Sequence, residues 1–197
     1  MLNGSQETVG KKQKSSFRLL GRLRRDAQGS MALEFAMVSM PFLLFCFSIM
    51  GYGFYFFTAT SLEYRVETAA RLIRTGQAQT SGLTQTLFKK KICNPDPLDP
   101  SAKIFDCSKL NVHIQSAATW AAITPTPCLS GGSLTASAAA GSAPISGSSG
   151  GAGQVVVVTV CYEWSLAQSM PFLMLSNMSS GSSIIQAVAT FRTEPYQ

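Results

Sequence analysis

The stretch from Gly29 to Phe57, GSMALEFAMVSMPFLLFCFSIMGYGFYFF, constrains this chain more than any other. Between Ser30 and Leu62 the only charged residue is Glu34. A helix of about 20 apolar residues crosses the hydrocarbon core of a bilayer. A chain of 197 residues is too small to surround a helix this long and this apolar with protein of its own. The stretch therefore reads as a membrane span. The charge before it is lopsided. Residues 1–29 carry Lys11, Lys12, Lys14, Arg18, Arg22, Arg24 and Arg25 against Glu7 and Asp26. The positive-inside rule then puts the N-terminus in the cytoplasm and everything after Phe57 outside. Most of the formal net charge of +6 sits in this leader, and the rest of the chain is nearly neutral. Topology accounts for the basic character, and no recognition motif accompanies it, so nucleic acid is not an expected partner.

The junction of leader and apolar run is chemically unusual. Gly29 is followed by Ser30-Met31-Ala32-Leu33 and then Glu34-Phe35. A carboxylate costs about 2.5–3.5 kcal/mol near the centre of a membrane helix and less toward the interface. Cleavage after Gly29 would create an α-amine at Ser30, a cation close to Glu34. The amine of a neighbouring subunit would serve as well. The junction resembles the processing site of class III signal peptides in type IV pilins, where Gly precedes the cut and Glu is the fifth mature residue. The bland alternative is a signal-anchor helix with an interfacial Glu.

A longer run extends the likeness. Gly29-Ser30-Met31-Ala32-Leu33-Glu34-Phe35-Ala36-Met37-Val38, with Pro41 and an aliphatic-aromatic run behind it, resembles the TadE/TadG-like family. The continuation Leu62-Glu63-Tyr64-Arg65-Val66-Glu67-Thr68-Ala69-Ala70-Arg71 fits it too, as does the ending Phe191-Arg192-Thr193-Glu194-Pro195-Tyr196. The family's members are minor pseudopilins of the Flp (tight adherence) pilus apparatus. The resemblance implies a cut between Gly29 and Ser30 by a prepilin peptidase that reads Gly29, Ser30, Glu34 and Phe35. It implies a registry role for Glu34, a place in a bacterial inner membrane with a periplasmic C-terminal domain, and other pilins, pseudopilins and pilus-assembly membrane proteins as partners. Where Flp pilins carry Glu-Tyr, this chain has Glu34-Phe35.

Beyond the span, helical periodicity continues. Leu62, Val66, Ala69 and Ile73 fall on one face, Glu67 and Arg71 are spaced for an ion pair, and Gly76 suits a C-cap. A helix from Ser30 to Thr75 would be about 70 Å long, well beyond a bilayer. Its apolar outer face needs a cover. Pro41 suits a kink, Gly51 and Gly53 suit packing or bending, and Tyr52 and Tyr55 suit an aromatic belt at the lipid boundary. Before the junction, Ser16–Gln28 reads as a basic amphipathic helix on lipid headgroups or as a plain tail.

The expected cover is a small α+β domain over residues 77–197. Thr80–Lys91 reads as a short polar helix or loop with Lys89, Lys90 and Lys91 solvated. Cys93–Pro100 reads as irregular. Residues 109–115 alternate, with Leu110, Val112 and Ile114 facing a core and Asn111, His113 and Gln115 facing solvent. Ser130–Gly153 holds seven Gly and seven Ser and reads as a flexible loop. Val155–Tyr162 reads as a central strand and Ile184–Phe191 as a third. Leu166–Leu175, interrupted by Pro171, reads as a short helix on the domain or against the membrane. The fold class expected is thus a long N-terminal transmembrane helix (span 30–57, extension 58–76) packed on a small, antiparallel-rich sheet, broadly pilin-like.

Five cysteines divide by compartment. Cys46 lies in the span as a small apolar filler. Cys93, Cys107, Cys128 and Cys161 fall outside, where an even number reads as two disulfides with three possible connectivities. Cys93–Cys107 with Cys128–Cys161 is the favoured one. No Cys-x-x-Cys, nucleophile elbow, phosphate loop or zinc-protease helix occurs, and the acids Asp96, Asp99, Asp106, Glu163 and Glu194 are scattered. No catalytic residue, metal, cofactor or small-molecule substrate is expected. The expectation is a structural component of a pilus and secretion machine. The alternative is an anchored binding or adhesion module that never enters a filament.

Overall fold

The computed structural model describes residues 27–94, 105–136 and 150–195. The leader before Ala27 and most of the Gly/Ser-rich stretch lie outside the described residues. The chain divides into two compact units, Met1–Ile49 and Met50–Gln197, and helix α1, Ala27–Arg74, contributes to both.

In the first unit α1 presents its side chains outward on every side. Every large apolar residue from Met31 to Ile49 is exposed by 45–74%. Two of its serines are quenched internally. Ser39 Oγ donates to the Ala36 carbonyl at 3.3 Å and Ser48 Oγ to the Leu44 carbonyl at 2.7 Å. That is how a helix carries hydroxyls where no water is available to bond them.

The second unit is a three-stranded antiparallel sheet against the later turns of α1. Short helices α2, Gln77–Thr80, and α3, Gln85–Cys93, follow α1. Strand β1 is Leu110–Ala117, β2 is Leu129–Ser130 and β3 is Ser133–Leu134. Strand β4 is Val155–Trp164, helix α4 is Leu166–Ser169 and strand β5 is Ser183–Arg192. The sheet order is β1-β4-β5, with Leu110 opposite Tyr162 and Val155 opposite Arg192. Strand β4 is central because Val-Val-Val-Val-Thr-Val-Cys-Tyr is β-favouring and free of charge at both parities, so both faces can be buried.

One face of β4, Val156, Val158, Val160, Tyr162 and Trp164, meets the stripe Leu62, Val66, Ala69, Ala70 and Ile73 of α1, all within one buried core. The stripe is at most 4% exposed. Phe88 and Ile92 of α3 close the same core. Helix α3 starts where the Thr84 side chain accepts from the Leu87 amide. Helix α1 stops at Gly76, whose φ of 76° continues no right-handed helix and whose amide returns to the Ile73 carbonyl.

The other face of β4 is covered as well. Val155, Val157, Thr159 and Cys161 are at most 5% exposed. The cover is the segment carrying the β2–β3 hairpin, held by the Cys128–Cys161 bridge, by Asn111 Nδ2 donating to the Thr135 carbonyl at 2.8 Å, and by Gln115 Nε2 on Thr126 Oγ1 at 2.9 Å. The hairpin turns on Gly131 and Gly132, both at positive φ, the geometry a two-residue hairpin of this hand needs. Thus Ser130–Leu134, the start of the stretch read as a flexible loop, is an ordered hairpin, while residues 137–149 lie outside the described residues.

Two expectations are corrected here. His113 does not face solvent: it is 3% exposed, under the segment just described. Glu67 and Arg71 form no ion pair. The pair that does form among the described residues joins Arg74 to Glu194.

Candidate functional site

The chemistry-bearing residues fall in two places, the junction at the start of α1 and the clamp that holds the sheet to it. At the junction, Gly29 and Ser30 belong to the first helical turns of α1. A glycine inside a helix weakens it by about 1 kcal/mol. Glu34 and Phe35 are exposed, Phe35 by 74%. The residues that follow offer a continuous apolar surface, and Met31–Arg74 is one helix long and apolar enough to cross a membrane, by length and composition.

The clamp begins at Gly51. A Cβ there would run into Leu173 Cδ1 and meet Met170 Sδ at 3.3 Å. Gly53, two residues on, faces open space. Tyr52 Oη donates to the Leu173 carbonyl at 3.1 Å, and Tyr55 packs edge-on against Trp164 with ring centroids 5.5 Å apart. The sheet unit therefore takes hold of α1 inside the stretch 30–57 assigned to the span, and the two tyrosines read as an aromatic belt bind the domain. Further along, Arg65 donates to the Ile92 carbonyl at 3.4 Å, a free acceptor at the end of α3, and lies 5.8 Å from the Phe105 ring centroid.

Two bridges lock the elements around this core. Cys93, the last residue of α3, joins Cys107, and Cys128 joins Cys161, with Cα atoms 5.6 and 5.5 Å apart. This is the connectivity favoured from the sequence. Cys46 is the free cysteine and is exposed. His113 lies between Asn111 and Gln115 under the hairpin segment, and neither ring nitrogen has a hydrogen-bond partner among the described residues. Burial pushes its pKa below the usual imidazole value, with the Thr135 backbone acting the other way. Among the described residues no three of His, Cys, Asp and Glu gather into a metal-binding group.

Sequence reasoning located the four paired cysteines. It missed the Gly51–Leu173 approach and the Arg74–Glu194 pair, because each joins residues some 120 positions apart and leaves no local pattern.

The architecture defined here is a long helix, apolar all round in its first half, whose second half is the spine of a disulfide-locked antiparallel sheet. Residues 29–71, about a fifth of the chain, match the family model described as TadE-like protein. That match begins at Gly29 and ends within the buried stripe of α1, and it coincides with the run for which the TadE/TadG-like resemblance was drawn. No curated protein and no solved structure is significantly similar to the chain.

Proposed function

We propose that this protein is a TadE-like minor pseudopilin: a non-catalytic, single-pass component of a Flp/Tad-type pilus assembly and secretion machine. In this reading it sits in the bacterial inner membrane with its N-terminus cytoplasmic and its sheet domain periplasmic. The observation that carries the proposal is the family match over residues 29–71, which contains the Gly29/Ser30 junction, Glu34 and the apolar run in one element. The basic leader before it supports the orientation. Four cysteines joined as two bridges support an oxidising compartment for the domain.

The proposed chemistry of the junction is electrostatic. A prepilin peptidase removes residues 1–29, leaving the Ser30 amine, and the Glu34 carboxylate pairs with an amine of its own or an adjacent subunit. The helix dipole adds to this, because an acid near a helix N-terminus is favoured. The partners are other pilins and the membrane proteins of the assembly apparatus.

The test has two arms. N-terminal sequencing of membrane-extracted protein is expected to read Ser30-Met31-Ala32; an intact Met1, or a start beyond Phe57, contradicts the processing. Glu34→Gln is expected to insert normally and to recover fewer partner pilins on co-purification. Equal recovery at equal membrane levels favours an anchored module outside any filament.

A further inference from the structure

The domain carries an apolar loop at the place where α1 leaves its outward-facing apolar run. Met170-Pro171-Phe172-Leu173-Met174-Leu175 forms a single 3-10 turn at Pro171–Leu173. Leu173 is 3% exposed and packs on Gly51, and its carbonyl takes the Tyr52 hydroxyl. Its two neighbours turn the other way: Phe172 is 44% exposed and Met174 is 89% exposed. Met174 is also the one non-glycine among the described residues with positive φ, at 51°. A long apolar side chain held outward by an unfavourable backbone conformation is what remains to be explained.

Three observations say what covers it. Gly51 is bonded to Met50, so the loop grips α1 within a residue of the run Met31–Met50, which by itself is about 30 Å long, the thickness of a bilayer core. On the gripped turns of α1, Phe54, Phe56 and Phe57 are 52%, 63% and 58% exposed, so apolar surface continues around the helix beside the loop's anchor. From Trp164 through Phe191 the chain contains no charged residue, so lowering this loop into headgroups desolvates no ion.

We propose that Met170–Leu175 lies in the boundary between headgroups and acyl chains, with Phe172 and Met174 in contact with lipid. The occupant of this surface is the bilayer, and the proposal rests on reading the first half of α1 as a membrane span. Tyr52, at this level, keeps its hydroxyl bonded to the Leu173 carbonyl, which removes two polar groups from a place where water is scarce. The loop is then a second, non-covalent foot that fixes how deep the domain sits.

The full chain in vesicles of phosphatidylcholine and phosphatidylglycerol tests this, with a fluorophore on one cysteine at a time and lipid spin-labelled high on the acyl chain as quencher. The three positions are the native Cys46, Met174→Cys and Thr190→Cys, the latter two in a Cys46→Ser background. Thr190 is exposed and lines a cleft with Arg71 and Arg74, more than five turns along α1 from Gly51. Quenching at 46 and 174, each several-fold above that at 190, is the expected result. Quenching at 46 with position 174 no more quenched than 190 overturns the loop contact and leaves the span standing. No quenching at 46 overturns the span and the proposal with it.

Discussion

Glu194 meets Arg74 twice: its backbone amide donates to the Arg74 carbonyl at 2.9 Å, and its carboxylate lies 3.3 Å from the Arg74 guanidinium. The amide contact caps the end of α1 with the segment that follows β5. The ion pair is more than half exposed on both sides. Such pairs contribute about 0–1 kcal/mol, so the side chains decorate a contact that the backbone makes.

The neighbouring residue matters more. Thr193 is 3% exposed, its hydroxyl donates to the Gly151 carbonyl at 2.7 Å, and it accepts from the Gln154 amide at 3.0 Å. Thr193→Val removes both hydrogen bonds of this buried hydroxyl and is expected to cost about 1–3 kcal/mol. Glu194→Gln is expected to cost less than about 1 kcal/mol. Urea unfolding of the two variants in detergent checks the order.

The Gly51 and Gly53 pair separates packing from helix propensity. Gly53→Ala meets nothing and is expected to stabilise by about 0.5–1 kcal/mol. Gly51→Val drives a branched side chain into Leu173, which is buried and cannot swing clear. Overpacking of this kind costs about 1–3 kcal/mol. Thermal melts of both variants are expected to move in opposite directions.

His113 makes stability depend on pH with a definite sign. Its folded pKa lies below its unfolded value, so the unfolded chain takes up the proton first. The contribution of neutral His113 is complete above the unfolded value of about 6.5 and is lost as pH falls below it, toward the folded pKa. The slope has an upper bound of about 1.4 kcal/mol per pH unit. Wild type is therefore expected to lose stability between pH 7 and pH 5.5, and His113→Gln to lose less over the same window. Parallel melting curves for the two proteins would count against this.

The bridges differ in reach. Cys93–Cys107 spans 14 residues and Cys128–Cys161 spans 33. Each is expected to contribute about 2–4 kcal/mol, the longer loop more. Cys128→Ala with Cys161→Ala also frees the hairpin segment, so hydrogen exchange at His113 and Thr159 is expected to rise. Cys93→Ala with Cys107→Ala is expected to leave those amides protected.

How far the sequence spoke depended on the range of each signal. The spine was legible because the run around Phe42 is apolar on every side and the stripe from Leu62 to Ile73 keeps helical spacing. Strand β4 was legible because both its parities are apolar, and the favoured cysteine pairing joins consecutive cysteines of the outer domain. The polar parity of β1 misled. Alternation marks Asn111, His113 and Gln115 as solvent-facing, and nothing local announces that a hairpin tethered at Cys161 folds over them. Arg71 misled for the same reason: helical spacing offered it Glu67, while the pair that forms joins Arg74 to Glu194, a residue beyond β5 and distant in sequence.

The two-sided burial of β4 sets an order of events. The stripe of α1 is made early in synthesis, but its cover, Val156 to Trp164, comes some eighty residues later. Cys93 and Cys107 can close as soon as both exist. Cys128 has no partner until β4 arrives, and β4 has only one neighbour until β5 does. Contacts this distant in sequence form slowly. The newly made chain therefore passes through a stage in which one bridge is closed, one thiol waits, and Leu62, Val66 and Ile73 lie uncovered. A partner helix or a chaperone that meets the chain in that interval finds an adhesive surface that the finished protein no longer offers.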